Sequence, residues 1–92
     1  MNVKCEMRDG RLTWITLPQP AWAGSVQLGV GLNLHGLYRG ARTGRMVAET
    51  YSNWTESNGY VVGTEYTEIT VSDWIKYCDL AGIDPGLTPE DL

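Results

Sequence analysis

Val26, Leu28, Val30, Leu32 and Leu34 alternate without a break with Gln27, Gly29, Gly31, Asn33 and His35. A period of two sustained over about ten residues marks a half-buried strand, because successive strand side chains point to opposite sides of a sheet. A helix cannot satisfy that period, so the chain must build a sheet, and the alternation predicts one strand over about 25–38. The glycines of this run and the arginines of "LYRGARTGR" also invite comparison with a phosphate-binding loop. Such a loop needs its glycines in a turn that opens a helix, where freed N–H groups point at the anion. Here the glycines fall inside the alternation and no helical pattern follows, so that reading is rejected. Within a strand they would instead let a neighbouring element pack close.

The flanking segments extend the sheet. In "NVKCEMRDGRLTWITL" the Asp9-Gly10 pair suits a type I′ turn, in which both central residues need positive φ. A two-residue loop would set Met7 opposite Leu12, Cys5 opposite Trp14 and Val3 opposite Thr16 on one face of a hairpin over 2–17. Lys4, Glu6, Arg8, Arg11 and Thr13 would share the other face. Pro18 and Pro20 then make residues 18–25 a crossing loop, with Trp22 plugging the end of the core. Residues 39–44, "RGARTG", form a tight connection into a returning strand over 45–54. On that strand Met46, Ala48 and Trp54 would face in, and Arg45, Glu49, Tyr51 and Asn53 out. Asn58-Gly59 supplies the next turn, and 60–70 a further strand whose muddled alternation calls for a bulge at Gly63.

Residues 71–81 carry the one helical pattern. Thr70 and Asp73 have capping-box spacing, and Trp74, Ile75, Tyr77, Cys78 and Ala81 fall on one stripe. Gly82 fits the left-handed position beyond the helix end, Ile83 can fold back toward Cys78, and Pro85 stops any continuation. In the tail over 83–92, Thr88 and Pro89 could open one more turn. The expected fold is therefore α+β: an antiparallel sheet of about five strands built from hairpins, with one C-terminal helix on a face. A length of 92 residues allows one domain, with no room for a second core.

The aromatic set is four Trp, five Tyr and no Phe, which is read as Trp serving as the main core filler. "MNVKCEMRDG" places charges where a secretory leader would be apolar, and no apolar run is long enough to span a bilayer. The expectation is a cytoplasmic protein with no membrane contact, whose Cys5 and Cys78 are reduced thiols. On the same ground the Asn53-Trp54-Thr55 sequon is read as chance.

Catalytic chemistry finds little to work with. His35 is the only histidine, and a strand-end histidine bonded to backbone or water outweighs a Cys–His pair with Cys5 or Cys78. The cysteines and the histidine lie far apart and lack any metal-ligand spacing. Glu65 and Glu68 read as solvated strand carboxylates. No enzyme activity, cofactor or metal is expected.

Charge is more informative. Residues 1–48 hold six cations against two acids, a net +4, whereas 49–92 hold one cation against nine acids, a net −8. An acidic face formed by Glu49, Glu56, Glu65 and Glu68, with Tyr51, Trp54 and Tyr66 as apolar anchors, would attract a basic protein partner. The function expected is a small non-catalytic inhibitor, the partner being a nucleic-acid-binding protein among other choices. In size, acidity and lack of catalytic groups the chain looks like stand-alone inhibitors of bacteria and their phages, such as toxin-immunity proteins and blockers of defence nucleases. That likeness is one of general character and covers no motif.

The alternative uses the opposite pole. Tyr38, Arg39, Arg42 and Arg45 cluster at one hairpin connection, and Arg8 and Arg11 flank another, a set that would grip nucleic acid or another anionic partner. A pI near 4.7 ranks this second. A third reading centres an enzyme or ligand site on His35. The glycine-bearing positions of 27–35 either pair with a second copy at a sheet edge, giving a homodimer, or are covered internally.

Overall fold

The computed structural model describes residues 1–56 and 59–87. Six strands, β1 (Asn2–Glu6), β2 (Leu12–Thr16), β3 (Trp22–Gly29), β4 (Leu32–Arg39), β5 (Met46–Glu56) and β6 (Gly59–Glu68), precede one helix, α1 (Val71–Ala81). They form one sheet in the order β2-β1-β6-β5-β4-β3. The α+β character stands, but the sheet has six strands rather than five and is mixed. β1 runs parallel to β6, with Cys5 opposite Tyr66 and Glu6 opposite Thr67, while the other neighbours are antiparallel.

The additional strand comes from the alternating run, which folds back on itself. Gly29 pairs with Leu32, and Val30, 92% exposed, sits at the tip beside Gly31 at φ +65°. Gly31 packs close as expected, though at a turn: its carbonyl accepts from Asn53 N at 2.7 Å. A Cβ there would lie 2.5 Å from Asn53 O. Residues 27–35 are therefore a hairpin and not one continuous edge.

The first hairpin forms, but one residue out of the expected register. Val3 opposes Ile15, Lys4 opposes Trp14 and Cys5 opposes Thr13. Its loop has three residues, closed by Gly10 N to Met7 O and Met7 N to Arg11 O, both 2.8 Å. Only Gly10 takes positive φ, +88°, whereas the type I′ turn would have needed it at Asp9 too. Asp9 instead turns its carboxylate onto Arg11, accepting from the backbone N at 3.0 Å and from Nε at 2.7 Å. A one-residue slip turns a whole strand over. Trp14 and Leu12, expected to share the inner face, are 68% and 61% exposed, while Leu17 is buried and Ile15 packs against the core.

Apolar clusters lie on both sides of the sheet. On one, Leu34, Leu37, Met46, Ala48 and Ile69 pack with Trp74 and Cys78 of α1, and Trp22 closes against them as expected. It does so as the first residue of β3, since the expected loop over 18–25 gives way to strand at Trp22, which pairs with Leu37. Leu34 and Leu37 reach the same side, although three residues apart, because the β4–β5 register shifts between Leu34 and Gly36. On the other, Val3, Cys5, Met7 and Leu17 join Tyr38 and Val47. Three strands separate β2 from β4, so this cluster requires the sheet to curl toward it. The short 17–21 link demands the same. Six residue steps from Thr16 to Trp22 span about 21 Å at most, short of the ~24 Å across a flat six-stranded sheet.

α1 begins and ends as its residues dictate. Thr70 Oγ1 accepts from Asp73 N at 3.1 Å. Gly82, at φ +75°, donates to Asp79 O while Ile83 N donates to Cys78 O, which is the Schellman arrangement. Trp74 Nε1 is satisfied by Pro85 O at 2.9 Å. Ile75 is exposed rather than on the buried stripe, and Trp54 is 37% exposed rather than turned in. No bulge occurs at Gly63: the β5–β6 register runs unbroken from Val47–Glu68 to Glu56–Gly59. The muddled pattern arises because the segment serves both sides, Tyr66 one cluster and Ile69 the other. The turns expected at Asn58 and at Thr88-Pro89 lie outside the described residues.

The two turn glycines should therefore respond differently to a methyl group. Gly10 has open space around it, so Gly10→Ala should cost about 1 kcal/mol of left-handed strain. Gly31→Ala adds a collision with β5, and in urea unfolding should lose at least ~2–3 kcal/mol. Equal losses would count against the close Gly31–Asn53 approach.

Candidate functional site

The strand order brings to one end of the molecule the two turns that carry the arginines, because β1 and β5 flank β6. Glu68, at the end of β6, lies between them. It accepts from Arg8 N at 3.0 Å and pairs with Arg45 Nε at 3.3 Å. The β4–β5 connection is as tight as "RGARTG" implied: Gly40 N donates to Arg45 O at 2.8 Å and Gly44 N to Gly40 O at 2.9 Å. Arg8, Thr43, Gly44, Arg45 and Glu68 line a shared depression of about 250 Å³.

Beside it, between β2 and the connection, opens a cleft of about 510 Å³. Its lining combines apolar Ile15, Leu17, Pro18, Tyr38 and Val47 with Arg42 and Arg45. A cleft of this volume and character falls in the range of binding sites. Arg42 is exposed and makes no ion pair among the described residues.

The four residues proposed for an anion-binding tip thus separate in role. Arg42 and Arg45 reach the cleft, the latter tied to Glu68. Arg39 points elsewhere, donating from Nη1 to Gly86 O at 3.1 Å. Tyr38 is buried, and its hydroxyl donates to Glu49 Oε1 at 2.7 Å. Burial first, and the adjacent Glu49 carboxylate second, push the Tyr38 hydroxyl well above the usual tyrosine range. Its ring tilts against Tyr66, centroids 6.4 Å apart.

The acidic set is divided by the strand period. Glu49 opposes Tyr66 on the concave side, which also carries Tyr51 and Glu68. Trp54 belongs to the opposite side, as does Glu65, which opposes Thr50 and is exposed. Glu56 ends β5 opposite Gly59. Glu49 and Glu68 are engaged internally, by Tyr38 and by Arg8 with Arg45, leaving Glu65 as the exposed acid of the set whose side chain is described.

His35 is the extra residue of the β4 register shift, which stacks it on Tyr51 with centroids 5.4 Å apart and planes within 6°. Cys5 and Cys78 are free and fully buried in separate clusters, and burial raises both thiol pKa values. Among the described residues no group of three or more His, Cys, Asp or Glu could hold a metal ion, and no helix is long and apolar enough to cross a membrane. Sequence reasoning missed the exposed pair Leu12 and Trp14, which only the correct register reveals.

No family model, curated protein or solved structure matches the chain.

The Tyr38–Glu49 contact has a pH signature. The folded-state pKa is raised, so the neutral hydroxyl's contribution is complete below the unfolded value near ~10 and is lost as pH climbs toward the folded one. Tyr38→Phe should cost about 1–3 kcal/mol near neutrality, by leaving Glu49 without its donor. It should also flatten the alkaline fall of stability above about pH 10. Denaturant titrations across pH test both, and an unchanged alkaline slope would assign that fall to other groups.

Proposed function

We propose that the protein acts without catalysis, by binding a basic protein partner through its acidic β5–β6 arm and so blocking the surface that partner uses. The observation that carries this reading is the arm itself. β4 pairs with β5 only as far as Ser52, and β1 meets β6 only at Tyr66 and Thr67. Beyond those points β5 and β6 pair with each other. From Met46 through Ile75 the chain has no Lys or Arg. Trp54 and Val62 are exposed on the arm, at 37% and 52%, with Glu65 near its base. Charge of one sign steers a basic partner and sets its orientation, while an exposed aromatic supplies the desolvated anchor. A partner that normally binds nucleic acid would lose access to its own lysines and arginines.

A second reading, an anionic partner at the arginine end, is favoured by the meeting of both arginine turns around Glu68. Anisotropy titration with single- and double-stranded oligonucleotides at low salt tests its nucleic-acid form, which no binding at tens of micromolar would remove.

The leading reading is tested by affinity capture from native lysate at low and high salt, with and without nuclease. A basic protein should be retained after nuclease treatment and released by salt. Glu65→Lys and Trp54→Ala should each weaken that complex by about tenfold or more. Glu68→Lys is the wrong probe, because it would break the Arg45 contact. Undiminished capture by Glu65→Lys at low salt would exclude the arm as the docking surface.

A further inference from the structure

A sheet ordered β2-β1-β6-β5-β4-β3 has two edges, and this chain treats them differently. The β3 edge is irregular, its register with β4 shifting between Ala23 and Val26 and again between Gln27 and Gly29. Such irregularities discourage another chain from pairing. β2, "LTWIT", has no charge, proline, glycine or register shift.

The ladder fixes what that edge offers. Met7 N donates to Arg11 O and Leu17 N to Met1 O, so the odd-numbered residues of 11–17 bond toward β1. By antiparallel alternation Leu12, Trp14 and Thr16 turn their N–H and C=O groups outward. By the strand period the exposed side chains of Leu12 and Trp14 stand on one side of this open edge and Ile15 on the other, toward the cleft with Arg42. Trp14 and Thr16 also reach the rim of that cleft.

We infer that the β2 edge is a docking site for an extended acidic segment of a partner protein, which adds as a further strand. Residues of that segment opposite Leu12 and Trp14 would lie on their side and suit apolar groups. Residues opposite Thr13 and Ile15 would point to the other side, and the one opposite Ile15 would stand over the cleft, where a carboxylate meets Arg42. The occupant is thus an alternating apolar and acidic strand. A second copy fits less well. It would bring another neutral β2 strand whose neighbouring cations, Lys4, Arg8 and Arg42, repeat the charge already present. For its charge this inference rests on the arginine-end reading, and it is independent of the acidic arm.

The test is a ¹⁵N–¹H NMR titration of the full chain with a synthetic peptide of about eight residues alternating valine and glutamate, against its lysine counterpart. Shifts confined to β2 and residues 40–45 are expected, with the lysine peptide at least tenfold weaker. Arg42→Glu, at an exposed side chain, should weaken the glutamate peptide about tenfold without touching the core. Trp14→Pro removes an outward N–H that the ladder does not use and should abolish binding, and Arg42→Glu decides the matter if that variant does not fold.

The inference is overturned by absence of shifts up to about 2 mM peptide, by equal response to both peptides, or by shifts centred on β3 or β6. It is also overturned if the chain sediments as a dimer that Trp14→Pro dissociates, which would make a second copy the occupant. Oligonucleotide binding without peptide binding would remove the edge site and leave the arginine end. A peptide titration unchanged by Glu65→Lys is required, since the arm is a separate surface.

Discussion

The β1–β2 hairpin is held to the other four strands by two parallel residue pairs, Cys5–Tyr66 and Glu6–Thr67, and by the apolar cluster behind them. Two pairs of a parallel ladder cannot hold a wing of a small protein by themselves. The cluster supplies the rest. Val3, Cys5, Met7 and Leu17 are buried against Tyr38 and Val47, and a large apolar side chain fully removed from water contributes roughly 1.5–3 kcal/mol. Burial therefore sets the curl, and the parallel pairs set its register. The Tyr38–Glu49 bond sits at the same seam, where it satisfies a hydroxyl that the cluster would otherwise strand.

Of the candidate surfaces, the cleft follows from that curl. The meeting of the arginine turns comes instead from the strand order: β1, β6 and β5 are neighbours, so the ends of β1 and β6 lie beside the start of β5 and Glu68 joins Arg8 to Arg45. The cleft between β2 and the connection is the gap the curl leaves, and the apolar side chains facing it come from both wings. The arm has the converse origin. Its strands outrun their ladder partners, and beyond the Gly31–Asn53 contact β5 and β6 pair with each other.

What could be read beforehand was whatever one segment decides alone. Thr70, Gly82 and Ile83 cap α1 through bonds a few residues long, and the glycines of "RGARTG" close their own turn. The hairpin at Asp9-Gly10 was legible, but its register was not, since both loop lengths suit that dipeptide and the choice depended on Asp9 binding Arg11. The alternation over 26–34 carries no mark of its fold-back, because Val30 keeps the apolar period while standing in solvent. The parallel β1–β6 contact joins residues some sixty positions apart, beyond any local pattern. For the candidate site, the arginines were visible as two clusters, and their meeting was not. The acids looked like one face because they are close in sequence, but the strand period divides Glu49 from Glu65.

The same geometry changes what the net charge means. A chain at −4 should repel anions if its charge acted as a whole, which is why the sequence favours a basic partner. Yet Asp9, Glu49 and Glu68 are each bonded within the molecule, so their charges are partly answered before a partner arrives. Along the 11 residues of β5 the tip of the arm lies about 33 Å from the arginine end, and Glu65, opposite Thr50, about 13 Å from it. Charges are screened over roughly 8 Å at physiological ionic strength. Each end therefore presents its own local field, and the overall acidity of the chain is no argument against an anionic ligand beside Arg42. The two proposed docking surfaces, an acidic arm and a cationic cleft, are thus electrostatically separate, and a basic ligand at one and an acidic ligand at the other would each meet a local field rather than the sum.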